Sequence, residues 1–185
     1  MRKLAPSVPH RQLVAFRIGD DEFGLDVSLV HEILRHQPVR SVPRAPAFVE
    51  GVIDLRGSLV PVIDLRRRFE IHDPSFGSDT RIMVINHRDE RLGVIVDTVT
   101  EVLRVPESAF SEPPAYVRGL AAEYLQGVIR MQERMVVVLD MDRILSSDER
   151  IALEELDLHT HAPPVEASAG GSSADGTTGD PAQPA

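Results

Sequence analysis

The strongest constraint on this chain is that it is written twice. Placing Phe23–Arg35 over Leu92–Arg104, an offset of 93 − 24 = 69, superposes Gly24/Gly93, Val27/Val96, Val30/Val99, Glu32/Glu101, Leu34/Leu103 and Arg35/Arg104. A second pair of segments, Gly51–Arg67 over Gly127–Arg143, matches at an offset of 127 − 51 = 76 through Gly51, Val52, Ile53, Val60, Val62, Asp64 and Arg67 and their counterparts. The two offsets differ by the length of one connection. Copies of roughly 70 residues exceed the repeats of ~20–50 residues that build solenoids. They suit two small β-barrels, each hiding its sheet edges by closing on itself. A domain of ~60 residues buries only about 60% of its unfolded surface, so the two barrels are expected to pack together.

Local pattern agrees with a mostly β fold. Apolar residues come in short runs bounded by turn residues: Leu13-Val14-Ala15-Phe16, Val60-Pro61-Val62-Ile63, Ile82-Met83-Val84-Ile85, Val94-Ile95-Val96 and Met135 to Leu139. Val60 to Ile63 and Val136 to Leu139 are apolar on both faces, which predicts strands covered by their own barrel on one side and by the twin on the other. Turns are expected at Gly19-Asp20-Asp21, at His87 to Glu90 and at Gly57-Ser58, where glycine in the first loop position suits a type II′ hairpin. Ser146-Ser147-Asp148-Glu149 reads as a capping box opening a C-terminal helix over 147–158. Pro46-Ala47-Phe48-Val49 and Pro114 to Tyr124 offer shorter helical pieces, since proline fits a first helical turn.

The folded part is expected to span 11–158, as subdomains of about 11–68 and 80–145 that exchange elements, plus the helix. Residues 1–10 read as a flexible leader. From His159 to Ala185, 20 of 27 residues are Ala, Gly, Ser, Thr or Pro, too little apolar surface to offset the entropy of ordering. That segment is expected to be a disordered tail.

Composition removes several classes of chemistry. With 20 basic against 29 acidic residues the net charge is −9, which repels nucleic acid. No cysteine is present, so disulfides, thiolate metal sites and thiol nucleophiles are excluded. The only lysine, Lys3, lies in the leader, leaving no Schiff-base or phosphate-loop lysine in the fold. Met1 to Arg11 lacks the apolar stretch of a signal peptide, and no segment approaches a membrane span. The seven histidines are scattered, no HExxH, Gly-x-Ser-x-Gly or dinucleotide motif occurs, and no metal or cofactor is expected. Asp26, Asp54, Asp64 and Asp97 read as turn and strand-end residues rather than an acid/base pair, and Arg66-Arg67-Arg68 as a solvated strand end. A binding module is the expectation.

The copies differ most where polar residues sit. Beneath Asp54-Leu55-Arg56-Gly57 lie Arg130-Met131-Gln132-Glu133, so the framework persists while the hairpin tip changes. This singles out Val30, Glu32 and Arg56, although the survival of Glu101 leaves a fold role open for Glu32. Arg56 next to a tight turn would project its guanidinium from a rigid corner, able to meet a carboxylate in a bidentate pair. Val30 and Ile33 offer apolar contact beside Glu32 or, alternatively, ordinary core.

Gly24-Leu25-Asp26, Val30-His31-Glu32-Ile33, the long stretch Pro46 to Arg66, Leu92 to Asp97 and Glu123 to Gly127 together resemble the CheW family of bacterial chemotaxis coupling proteins. The resemblance implies two intertwined five-stranded SH3-like β-barrels with a C-terminal helix. It also implies a cytoplasmic, non-enzymatic adaptor, associated with receptor arrays at the inner membrane. Its partners would be the cytoplasmic tips of methyl-accepting chemoreceptors and the regulatory domain of the histidine kinase CheA. Carried over by position, the receptor-facing set is Val30, Glu32, Ile33, Val39, Asp54, Arg56 and Gly57; Gly93 and Val94 fall toward the kinase. The family usually has Asn where this chain has Asp54. On a strand Asp54 and Arg56 share a face, which predicts an internal pair that competes with the receptor, so that Asp54→Asn changes receptor affinity more than it changes stability. A pathway with another output, such as pilus motility or second-messenger synthesis, and a small β-barrel enzyme or oligonucleotide binder are the alternatives.

Overall fold

The computed structural model describes residues 9–71, 75–88, 90–113, 124–131 and 134–145. The first copy forms β1 (His10–Ile18), β2 (Asp21–Asp26), β3 (Val30–Arg35), β4 (Val49–Leu55), β5 (Ser58–Asp64) and the helical turn α1 (Leu65–Arg68). The second forms β6 (Arg81–His87), β7 (Glu90–Val96), β8 (Thr98–Pro106), β9 (Phe110–Ser111), β10 (Leu125–Met131), β11 (Arg134–Leu139) and α2 (Met141–Ile144). Shifting β4 and α1 by 76 residues lands on β10 and α2 end to end. The repeat seen in residue identities is thus a repeat of structure.

Neither copy keeps its strands to itself. One sheet runs β8-β1-β2-β11-β10-β9 and the other β3-β6-β7-β5-β4, so each unites the first two strands of one copy with the later strands of the other. The exchange is sealed by two equivalent parallel pairs, β2 with β11 and β5 with β7. It is enforced by short crossovers: residues 27–29 carry the chain from β2 to β3, and Asp97 alone carries it from β7 to β8. Connections that short leave no room for a gap, so the sheets press together.

Three apolar clusters result. Leu13, Ala15, Leu103, Val105, Ile129, Val136 and Val138 fill the interior of the first sheet, and Ile53, Leu55, Val60, Val62, Ile82, Val84 and Ile95 that of the second. Between them lies a third and larger cluster, which includes Val14, Phe16, Phe23, Ile63, Met83, Ile85, Val94, Val96 and Leu139. Strand alternation explains the sorting, because adjacent residues face opposite sides. Ile82 and Val84 point into their own barrel, whereas Met83 and Ile85 point at the twin. The doubly apolar runs therefore mark the strands sandwiched between a private core and the shared one.

Backbone requirements place one glycine. At Gly51 φ is +148°, and a Cβ there would lie 2.1 Å from the carbonyl oxygen of Arg40. Only glycine admits that approach, which lets Arg40 and Val52 exchange two backbone hydrogen bonds of 2.9 Å and extend the sheet past β4.

Four local expectations need correction or fall outside view. Residues 46–49 form a single turn, closed by the Val49 N–H donating to the Pro46 carbonyl at 2.9 Å, and no helix follows because β4 begins at once. The proposed helix over 147–158 and residues 114–123 lie outside the described residues. The β4–β5 hairpin pairs Leu55 with Ser58, so its loop is Arg56-Gly57 rather than Gly57-Ser58. With φ of +55° and +84° at these positions the turn is of the I′ type, which matches the right-handed strand twist.

The fourth concerns the arginine triplet. Arg66 is not at a solvated strand end but is 1% exposed at the start of α1. It donates to both oxygens of Asp64, with the closest contact at 2.7 Å, to the Ser75 carbonyl at 2.7 Å and to Asp97 at 3.2 Å. Its guanidinium also lies 4.7 Å from the centre of the Phe76 ring. Burial alone would lower its pKa, but the hydrogen bond and charge of Asp64, and then those of Asp97, hold it above the ordinary value. Asp97 meanwhile accepts the Gly19 N–H at 2.7 Å, which ties the β1–β2 turn to the other sheet. The triplet escapes a strand reading because Asp64 caps the following turn, accepting from the Arg66 N–H at 2.9 Å, and so β5 ends at Asp64, before the triplet begins.

Candidate partner-binding surface

The inward faces of the strands lead to a charged end in each barrel. In the first sheet, two residues past Ala15 stands Arg17, two before Leu103 stands Glu101, and two before Val136 stands Arg134; Glu22 is the cross-strand partner of Arg17. Arg134 donates to both oxygens of Glu22 and to Glu101 at 2.9 Å. Its hydrogen bonds to Glu22, then to Glu101, raise its pKa above the ordinary guanidinium range. This open end, an accessible pocket of about 500 Å³, is electrostatically closed on itself.

The second sheet ends differently. Glu32 stands two residues before Leu34 on the inward face of β3, in the position Glu101 occupies on β8. Its Oε2 meets Arg56 Nη2 at 3.3 Å, and His31 Nε2 lies 3.7 Å from its Oε1. Glu32 is one-fifth exposed, and Oε1 is buried without a hydrogen-bond partner among the described residues. Arg56 is 79% exposed at the left-handed turn position. The two copies thus use the same glutamate differently. Arg134 aligns with Ser58 and holds two carboxylates from within its strand, whereas Arg56 sits at the hairpin apex, holds one carboxylate at long range, and points most of its surface outward.

Asp54 does not pair with Arg56. Its Oδ1 accepts the Gly57 N–H at 2.7 Å and so braces the turn that carries the arginine. An asparagine oxygen accepts the same bond, so the premise of a competing carboxylate falls: the apex geometry rotates Arg56 away from Asp54 and toward β3. The other three aspartates also serve the backbone, Asp26 at the Ser28 N–H, Asp64 at Arg66 and Asp97 at Gly19. Gly57 has nothing within 4 Å of where a Cβ would stand, so its requirement is conformational alone. Gly57→Ala is expected to cost about 1 kcal/mol in urea unfolding, and an unchanged midpoint would refute a positive φ there.

The remaining candidates divide by exposure. Ile33 is 43% exposed beside Glu32, on the opposite face of the edge strand β3. Val30 is half-buried against the shared cluster, and Val39 is half-buried against the interior of the second sheet, so both are core residues with one side open. Gly93 and Val94 are interior. Val94 is 1% exposed, and a Cβ on Gly93 would touch Val62 at 3.0 Å, because β7 is a central strand flanked by β6 and β5. Neither can present a side chain to a partner. Two exposed apolar residues of the second copy were not singled out by the sequence, Val102 at 58% and Met135 at 54%. The repeat holds the signal for one of them, since Val102 lies beneath Ile33 at the offset of 69.

Among the described residues there is no cluster of metal-ligating side chains and no helix long and apolar enough to cross a membrane. An interlocked, doubled β scaffold with one self-satisfied end and one outward-facing arginine corner defines a protein-binding module. Comparison with known proteins agrees. Residues 12–149 match the CheW-like domain. Chemotaxis protein CheW of Treponema pallidum is 36% identical over 149 residues, covering 78% of this chain and 88% of that protein. Its counterpart in Klebsiella aerogenes is 33% identical over 154 residues, covering 83% and 93%, and Protein FrzA of Myxococcus xanthus is 30% identical, covering 80% and 94%. The crystal structure of the scaffolding protein TtCheW from Thermoanaerobacter tengcongensis superposes with a TM-score of 0.67 at 32% identity, over 72% of this chain and 90% of that one. The chain belongs to the CheW family, and its role is that of a chemotaxis coupling adaptor.

Proposed function

We propose that this adaptor joins the cytoplasmic tip of a methyl-accepting chemoreceptor to the regulatory domain of the kinase CheA, without chemistry of its own. The observation that carries this reading is the Arg56 corner: a mostly exposed guanidinium on a braced two-residue turn against a half-buried Glu32, with Ile33 exposed on the other face of β3. Such a corner suits an amphipathic receptor helix that supplies a carboxylate and an apolar row. Val30, Val39, Asp54 and Gly57 support it from below. The mechanism is linkage: an adaptor that binds receptor and kinase differently in their active and inactive states couples the two equilibria, and one with equal affinities shifts nothing. Work in the cytoplasm, at receptor arrays on the inner membrane, follows from those partners.

Contact with the kinase is assigned to the outward residues of the second copy in place of Gly93 and Val94. Val102, the exposed twin of Ile33, is the residue to change. Val102→Asp is expected to weaken binding of the CheA regulatory domain about tenfold with thermal stability unchanged, since burying an unpaired carboxylate in an interface is unfavourable. Equal titrations of both proteins would remove Val102 from that face. Receptor-dependent autophosphorylation of CheA, measured with and without this protein, tests the whole reading: no change on adding it refutes the coupling role. A second reading is a coupling module in a chemosensory pathway with a different output, since Protein FrzA, similar over 94% of its own length, does not carry the CheW name.

A further inference from the structure

The duplication places two clasps between the barrels, and they are built from unlike groups. Among the described residues the chain crosses between the sheets twice, at 27–29 and at Asp97. Asp97 lies beside the β1–β2 turn: its N–H donates to the Arg17 carbonyl at 3.0 Å, and its carboxylate accepts the Gly19 N–H at 2.7 Å. Arg66 on α1 reaches the same aspartate at 3.2 Å from a position that is 1% exposed. Turn, crossover and α1 are thereby locked to one another around a buried guanidinium.

The offsets of 69 and 76 carry Gly19 to Arg88, Ser28 to Asp97 and Arg66 to Asp142. Arg88, Ser28 and Asp142 gather at the other end of the shared cluster. Val30 pairs with Ile85, which sets 27–29 beside the end of β6, and Arg88 Nε donates to Asp142 on α2 at 2.8 Å. The chemistry there is different. Ser28 turns back to its own strand, its N–H and hydroxyl donating to Asp26 at 2.9 and 2.6 Å, so neither donor reaches the clasp. Arg88 and Asp142 are 60% and 56% exposed. Water competes for such a pair and leaves it worth little, whereas parting the buried Arg66 cluster would strand charges in the interior. We propose that the two barrels pivot about the Arg66 end and part at the Asp142 end, with the Arg88–Asp142 pair setting the closed population. Val27, Leu29 and Val30, half-buried on the shared cluster, stand on the side that opens. A ligand that spans both barrels at that end holds them together; one that touches a single barrel shifts nothing.

The chain has no cysteine, so a nitroxide pair can be placed across each end and its distance read by pulsed electron resonance. Asp21→Cys with Arg67→Cys spans the Arg66 end; Glu90→Cys with Arg143→Cys, the same positions under the two offsets, spans the other. The expected result is one narrow distance at the Arg66 end and, at the Asp142 end, a second and longer distance. Its share should rise about three- to fivefold in Asp142→Ala, the factor an exposed ion pair supplies, and high salt should act in the same direction. Equal distributions at the two ends, or no change in Asp142→Ala, would overturn the pivot. Native methionines give a check that needs no label. Met83 and Met141 lie buried in the shared cluster, whereas Met131 packs against the interior of the first sheet. Parting barrels speed peroxide oxidation of Met83 and Met141 together in Asp142→Ala and leave Met131 unchanged. Acceleration of Met141 alone would mean that α2 frays by itself, and acceleration of all three that the whole protein is destabilised; either result overturns the pivot.

Discussion

Replacing Arg66 by alanine is expected to lower the free energy of unfolding by about 3–5 kcal/mol, because it leaves Asp64 charged and unpaired in the interior. Asp64 is 0% exposed and Arg66 1%, so water cannot take the place of the lost guanidinium without opening the structure. The loss extends beyond one pair: Arg66 also holds the Ser75 carbonyl and Asp97, and through Asp97 the Gly19 turn. For a domain of this size the change corresponds to a fall in Tm on the order of 10 °C. A double variant, Arg66→Met with Asp64→Asn, should recover a large part of the loss, since it removes the orphaned charge while asparagine can still cap α1. Chemical denaturation of the three proteins decides the matter. A loss below about 1 kcal/mol for Arg66→Ala would mean that the cluster behaves as a surface pair. The raised pKa of Arg66 adds a sign: its contribution is fully present below the ordinary guanidinium value and is lost only as pH rises beyond it, so the cluster should produce no alkaline step at moderate pH.

Arg56→Glu is expected to weaken receptor-tip binding about a hundredfold, the loss of some 2.7 kcal/mol, while leaving stability within about 1 kcal/mol of wild type. The contrast follows from exposure. In the free protein Arg56 is 79% exposed and makes one long contact, so folding gains little from it. In the complex it would be a desolvated arginine on a rigid turn, the type of residue that dominates interfaces. Reversal adds repulsion from the partner carboxylate and from Glu32 at once. Arg56→Lys should fall in between, because an ammonium cannot make the bidentate pair. Both losses should shrink as salt rises, since the corner lies at the surface. Unaltered affinity in Arg56→Glu would dismiss the corner as the receptor contact, whatever the fate of the kinase assay.

The corrected residues show where local reading stops. A triplet of arginines after an apolar run has the composition of a solvated strand end, and its true place depends on Asp97 and Ser75, which are 31 and 9 residues away along the chain. Likewise, Gly93 and Val94 carry the same motif as Gly24 and Leu25, and only the position of β7 in the middle of its sheet shows that they are enclosed. Asp54 and Arg56 share a face as long as both lie on a strand. The left-handed φ of Arg56 ends the strand first, and the pair separates.

Identity at two offsets was enough to determine a doubled β scaffold, the strands that lie between cores and the hairpin whose tip had diverged, because these depend on side-chain alternation and on turn chemistry within a few residues. It was enough, too, to single out Arg56 and Glu32. Closure of each sheet gave each glutamate a partner from its own copy, and the exchange of strands between copies added Glu22 to Arg134. Glu101 meets the strand arginine Arg134 and is satisfied, and Glu32 meets an apex arginine and is not. That difference is one of geometry across a closed sheet, between residues 24 and 33 apart. A linear pattern records which groups are present; the distance and direction between them are set when the barrels close.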